Sequence, residues 1–258
     1  MEIKTHIDNL KNNGFSTLNN ALSKKDIEFF KRYVGSLHIN KMSRKEKVFL
    51  EKNNFFKKLR FFKFNKKIFK LIKKFNLNEI ASAVLNLKVE LNRVDGYHSE
   101  ISDKFILDWH VDRAYSGDPS PKKFLSPDDY AIKCILYLDD VYTQNGCLGI
   151  IEKSNQITYY LRKGIFEKKI KYEPYWKLKD LVNFIKKENI KKYLIKFIDL
   201  NTYEDFLGNS KFILDQHDTF KFDINHKKGD LLIFNETVVH RAAESKKTSR
   251  SIIRLFFK

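Results

Sequence analysis

With 258 residues, 42% of them hydrophobic and 14% aromatic, the chain has material for one sizeable core and reads as a single domain over 1–258. Nine glycines and four prolines are too few for a collagenous or linker-dominated chain. Two cysteines, Cys134 and Cys147, lie in no paired ligand spacing, which argues against a disulfide scaffold or a zinc finger and fits a reducing, cytoplasmic setting.

The formal net charge is +18, yet lysine is scattered through nearly every segment beside abundant Asn, Ile and Phe. It reads as compositional drift, and no nucleic-acid partner is expected. The N-terminal stretch lacks the apolar core of a signal peptide, and no run approaches the roughly 20 apolar residues of a membrane span. A small-molecule substrate is the expected partner.

Taken in chain order, the first elements are helical. Ser23 is a plausible N-cap for a helix whose apolar face carries Ile27, Phe30 and Val34. Residues 43–76 continue in the same manner, with Phe55, Leu59, Phe62, Phe69 and Ile72 expected on one face among lysines. The segment is read as a core-packing helix in preference to one lying on a membrane. Residues 1–87 thus form a mostly helical wrap.

From residue 88 the texture changes to short β-rich segments: KVELNRVDGYH, KFILDWHVD, YAIKCILYLDDV and CLGIIEKS. Helical material interrupts them over 157–210 and is expected to cover one mouth of the β structure and help choose the substrate. Strands resume at FKFDIN, DLLIF, TVVHRAA and RSIIRLFF. The expected class is mainly β with helical additions, a sandwich or barrel.

The chemistry centres on Trp109-His110-Val111-Asp112. Residues two apart on a strand share a side, so His110 and Asp112 can reach one metal while Val111 faces away. His240, near the end of the apolar run TVVHRAA, completes two histidines and one carboxylate, a facial set that leaves positions open on iron(II). Arg250 opens the last strand, where its fork can pair with a carboxylate. Lys133, Ile135 and Tyr137 alternate along one side of a strand, so Lys133 and Tyr137, with Tyr97, are cavity-lining candidates. His98 is a candidate to face the substrate, whereas His6, His38, His217 and His226 sit in polar surroundings that suggest the surface. In Asn145-Gly146-Cys147-Leu148, Gly146 supplies a positive φ at an architectural turn, and Cys147 is core.

The stretches WHVD, NGCLGIIEKSN and KKGDLLIFNETVVHRAAESKKTSR, together with the opening NNGFSTLNNALSKKDIEFF, resemble the phytanoyl-CoA dioxygenase family of 2-oxoglutarate oxygenases. The resemblance implies a double-stranded β-helix (jelly-roll, cupin-like), with His110, Asp112 and His240 as iron(II) ligands and Arg250 as the anchor of the co-substrate 2-oxoglutarate. It also implies a dioxygenase that hydroxylates its substrate, because halogenating relatives carry a small residue where Asp112 stands. Two departures stand out. Lys153-Ser154-Asn155 replaces the family's G-S-H. Arg241-Ala242-Ala243-Glu244 replaces small polar residues, removing a hydroxyl partner for the co-substrate carboxylate. The substrate itself is not legible beyond a lean towards an anionic metabolite. The rivals are a cupin-like metalloenzyme that does not use 2-oxoglutarate and a basic module binding nucleic acid or a membrane surface.

Overall fold

The computed structural model describes residues 3–36, 55–104, 106–112, 114, 127–216 and 220–258. Four helices lead: α1 (Ile3–Asn12), α2 (Lys24–Ser36), α3 (Phe55–Lys74) and α4 (Leu77–Leu85), with strand β1 (Phe15–Leu18) after the first. Then come β2 (Leu91–Ser99), β3 (Leu107–Val111), β4 (Ile132–Tyr137) and β5 (Leu148–Ile150). Helices α5 (Ser154–Phe166), α6 (Leu178–Ile185), α7 (Glu188–Leu194) and α8 (Leu200–Gln216) precede β6 (Asp223–Ile224), β7 (Leu231–Asn235), β8 (Val239–Ala242) and β9 (Arg250–Phe257). More of the described residues lie in helices than in strands, so the expectation of a mainly β chain is corrected to a mixed one. The reason is that both the N-terminal wrap and the insertion contribute whole packing layers.

The strands form two antiparallel sheets, ordered β1-β7-β4-β9-β2 and β3-β8-β5-β6. From β2 to β5, and again from β7 to β9, successive strands alternate between the two. Three apolar clusters follow from strand parity, because alternate side chains leave opposite faces of a sheet. Cys134, Leu136, Ile233, Ile253 and Leu255 leave the outer face of the larger sheet and meet Leu10, Phe30, Ile68 and Ile80 of the N-terminal helices. Tyr97, Ile135, Tyr137, Leu232 and Ile252 point inward and meet Leu148 and Ile150 of the smaller sheet. Behind the smaller sheet, Trp109, Val111 and Val239 pack on Ile157, Leu181, Phe184 and Tyr203 of the inserted helices.

Helix α2 starts as its sequence suggests. The Ser23 hydroxyl accepts the Asp26 N–H at 3.2 Å and donates to the Asp26 carboxylate at 2.7 Å, while Ile27, Phe30 and Val34 are buried. Helix α3 corrects its expected face. Phe64, Ile68, Leu71 and Ile72 meet the core, whereas Phe62 and Phe69 point outward, 63% and 60% exposed. Apolar residues occupy more than one stripe of this helix, and packing against α2 and α4 decides which stripe is used.

Two histidines expected at the surface are buried. His6 meets the Ser16 hydroxyl through Nδ1 at 2.8 Å. His226 stacks on Tyr137 with ring centroids 4.6 Å apart, and its Nδ1 lies 3.1 Å from the Ile224 carbonyl. Their polar sequence neighbours concealed that β1 and the turn before β7 cover them. His38 and His217 lie outside the described residues. No helix among the described residues is long and apolar enough to cross a membrane.

Candidate metal centre

Trp109, His110 and Val111 lie on β3, which pairs with β8 so that His110 stands opposite His240. Both imidazoles therefore leave the same face, towards the larger sheet, while Trp109 and Val111 leave the other. The two rings lie 4.3 Å apart, centroid to centroid. Asp112 follows at the end of β3, with Oδ1 3.6 Å from His110 Nε2 and Oδ2 3.4 Å from His240 Nε2. One donor atom from each of the three residues lies within 4.8 Å of the others.

The tautomers are set from behind. His110 Nδ1 donates to the Asp108 carbonyl at 2.7 Å and His240 Nδ1 to the Val238 carbonyl at 2.9 Å. With Nδ1 carrying the proton, each Nε2 presents a lone pair to the shared space. His110 Nε2 is buried and has no hydrogen-bond partner. Burial, then the neighbouring His110, pushes the His240 imidazole below its usual pKa, so it stays neutral, as a ligand must be. Burial by itself would raise the Asp112 carboxyl, but the Lys133 ammonium and the neighbouring His110 and His240 side chains hold it well below the usual carboxylate value. Two imidazole nitrogens and one carboxylate make a donor set that fits a first-row divalent ion.

Arg250 begins β9 on the inward face and is buried. One of its terminal nitrogens donates to the Gly146 carbonyl, and its Nε has no partner. Gly146 has φ 74, as its sequence context suggests, and a Cβ there would stand 2.7 Å from Arg250 Cδ and 3.0 Å from Ser245 Oγ. The glycine is therefore needed both for the turn and for the seat of Arg250. Asn145 holds the approach to β9, its side-chain oxygen accepting the N–H groups of Lys247 and Thr248 at 3.2 and 2.9 Å. Arg254, of the same strand parity, is already engaged. It forks onto Asp95 at 2.7 and 2.8 Å and donates to the Tyr97 hydroxyl at 2.7 Å.

The expected loss of a hydroxyl near Arg250 needs correcting. Ser245, one residue beyond the Arg241–Glu244 run, has a buried hydroxyl with no partner, and so does Tyr137, which faces inward from β4 and is close enough to Arg250 to feel its charge. Ser154, the middle residue of Lys153-Ser154-Asn155, has a different task. Its hydroxyl donates to the Ile151 carbonyl at 2.6 Å and accepts the Val239 N–H at 2.8 Å, which fixes the backbone one residue before His240. His98 is corrected in the other direction. It shares the outer face of β2 with its partner Ser251, 3.0 Å away, and does not point between the sheets. Cys134 and Cys147 are buried and unpaired, in keeping with core positions.

Sequence reasoning did not single out Trp176. The chain entering α6 runs along the edge of β3, where the Val111 N–H donates to the Trp176 carbonyl at 2.9 Å, and the partly buried Trp176 ring lies 5.6 Å from that of His110. The inserted helices themselves pack behind the smaller sheet, and the segment entering α6 brings Trp176 and Lys177 beside His110. The other tryptophan, Trp109, faces away onto Phe222 and Arg241. Cobalt(II) added to the protein is therefore expected to quench tryptophan emission in the wild type and in Trp109→Phe, and not in Trp176→Phe at equal metal loading. Full quenching in Trp176→Phe would remove that ring from the centre.

A two-sheet fold with two histidines and a carboxylate converging between the sheets defines the class of mononuclear metal oxygenases with an open coordination face. The sequence matches the phytanoyl-CoA dioxygenase (PhyH) family over residues 10–252, and the chain belongs to that family of iron(II)- and 2-oxoglutarate-dependent enzymes. No curated protein sequence matches it closely enough to count as a relative. Among solved structures it is similar to HygX from Streptomyces hygroscopicus with nickel and 2-oxoglutarate bound, at 13% identity and TM-score 0.56, covering 98% of this chain and 86% of that one. It is similar also to the epimerase SnoN in complex with Fe3+, alpha ketoglutarate and nogalamycin RO, at 11% identity and TM-score 0.55, covering 99% and 82%. A third, EvdMO1, matches at 14% identity and TM-score 0.52 over 99% of this chain, which spans 49% of EvdMO1.

Proposed function

We propose that residues 1–258 act as one oxygenase domain wound as a double-stranded β-helix, in which His110, Asp112 and His240 hold iron(II) and Arg250 anchors 2-oxoglutarate. The observation that carries the reading is the convergence of two Nε2 lone pairs and one carboxylate, with both Nδ1 atoms tied to backbone carbonyls. Iron(II) held there would couple decarboxylation of 2-oxoglutarate to succinate with oxidation of a substrate by dioxygen. The chain's own share is to bind, orient and exclude water.

The partnerless Arg250 Nε, Tyr137 hydroxyl and Ser245 hydroxyl support a carboxylate seat, because buried polar atoms without partners are costly unless a ligand satisfies them. Retention of Asp112 supports hydroxylation as the outcome. The excess of positive charge in the chain supports a small anionic substrate. Under anaerobic conditions, iron(II) followed by 2-oxoglutarate should produce a visible charge-transfer absorption at one equivalent of each. Admission of air should then release succinate even without a substrate. A protein that gives neither the absorption nor succinate does not carry out this reaction.

A further inference from the structure

The triad alone does not say which oxygen of Asp112 meets the metal. Oδ1 faces His110 and Oδ2 faces His240 at nearly equal distances, 3.6 and 3.4 Å, so both oxygens are turned towards the same space. The difference matters. A carboxylate bound through both oxygens, with two imidazoles, takes four of six octahedral positions, and a chelating oxo acid would take the last two. Bound through one oxygen, it leaves three.

Lys133 breaks this near-symmetry. Its Cα sits in the middle of the larger sheet, paired with Phe234 on one side and Phe256 on the other. Its side chain, only 8% exposed, crosses between the sheets to place its ammonium on Asp112 Oδ2. Glu236 holds it from the far side, with Oε1 3.4 Å from the ammonium, while Glu236 Oε2 accepts the Ala131 N–H at 2.8 Å. The rings of Phe256 and Phe234 lie 5.4 and 5.9 Å from the ammonium. A buried ammonium is costly to desolvate and persists only where anionic partners are fixed around it. Here one of those partners is the carboxylate of the metal centre.

We propose that Lys133 is a positioning residue that keeps Asp112 monodentate: by engaging Oδ2 it leaves Oδ1 as the sole carboxylate donor and preserves three open positions. The proposal rests on the iron reading above, and its test separates the two. Cobalt(II) serves as the probe, and the infrared difference between cobalt-loaded and metal-free protein isolates the carboxylate that changes. Wild-type protein should bind one equivalent and show the wide splitting between carboxylate stretches that marks a single bound oxygen. Lys133→Met should still bind cobalt(II) but lose that wide splitting and change its visible absorption, and its 2-oxoglutarate affinity should fall at least several-fold. Lys133→Arg, which keeps a cationic donor, should restore the wild-type spectra. Failure of wild-type protein to bind cobalt(II) overturns the iron reading and this proposal together. A wild-type protein that binds cobalt(II) with the narrow splitting of a chelating carboxylate overturns this proposal alone, without requiring any variant to fold. So does a Lys133→Met protein with unchanged spectra.

Discussion

His110→Ala and His240→Ala are each expected to abolish stoichiometric metal binding, with affinity falling by more than about 100-fold, since loss of an outer partner of a ligand alone typically costs 10–100-fold. Asp112→Gly should lose oxygenase turnover, because the one anionic donor goes and Lys133 is left facing the ion with Glu236 as its remaining anionic partner among those described above. Each histidine substitution removes an imidazole whose Nδ1 contact is to a backbone carbonyl at the strand itself, so the fold should survive both. Metal binding to the native state alone stabilises it by about 2.7 kcal/mol at a hundred times the dissociation constant. Wild-type protein should therefore melt at a higher temperature with cobalt(II), whereas the histidine variants should melt where they do without it. Equal metal-induced stabilisation in wild type and both histidine variants would move the centre elsewhere.

The parts of this site legible in the sequence are those set by local periodicity. His110 and Asp112 share a face because they are two apart on a strand, and Tyr97, Lys133 and Tyr137 face inward for the same reason. Ser23 marks a helix start because its hydroxyl has an orphan N–H within reach. Contacts made between sheets left no such mark. That the Lys133 ammonium meets the Asp112 carboxylate depends on how the two sheets stack, and the approach of Trp176 to His110 depends on where the insertion re-enters. Strand β1 escaped notice because four residues, Phe15–Leu18, are too few to show an alternation, yet they pair with β7 and help bury His6 and His226. Residues 55–74 misled for the opposite reason: with Phe, Leu and Ile on several stripes, periodicity admits more than one buried face.

The two inward arginines of β9 give the second large effect. They are four residues apart, roughly 13 Å along a strand, so one carboxylate fixed by a metal cannot meet both from the same position. Arg254 has spent its fork on Asp95, a buried partner, and a third contact goes to the Tyr97 hydroxyl. Arg250 donates one terminal nitrogen to a backbone carbonyl and keeps a buried Nε free, beside a tyrosine and a serine hydroxyl that are also unpaired. Burial pushes its guanidinium towards a lower pKa, because it withdraws water from the charge. Losing one partner of a desolvated charge pair costs about 2–5 kcal/mol. Arg250→Ala should accordingly weaken 2-oxoglutarate binding by about 30-fold or more, taking 1.4 kcal/mol for each factor of ten. Arg254→Ala leaves the buried Asp95 carboxylate only the longer Arg93 contact, 3.4 Å, and should act on stability, lowering the melting temperature while 2-oxoglutarate affinity changes by less than about threefold. Anaerobic titration of the charge-transfer absorption in both variants, beside thermal melts, reads the two effects separately. A reversed ranking of affinities would assign the anchor to Arg254 and leave the Arg250 pocket to a structural role around Gly146.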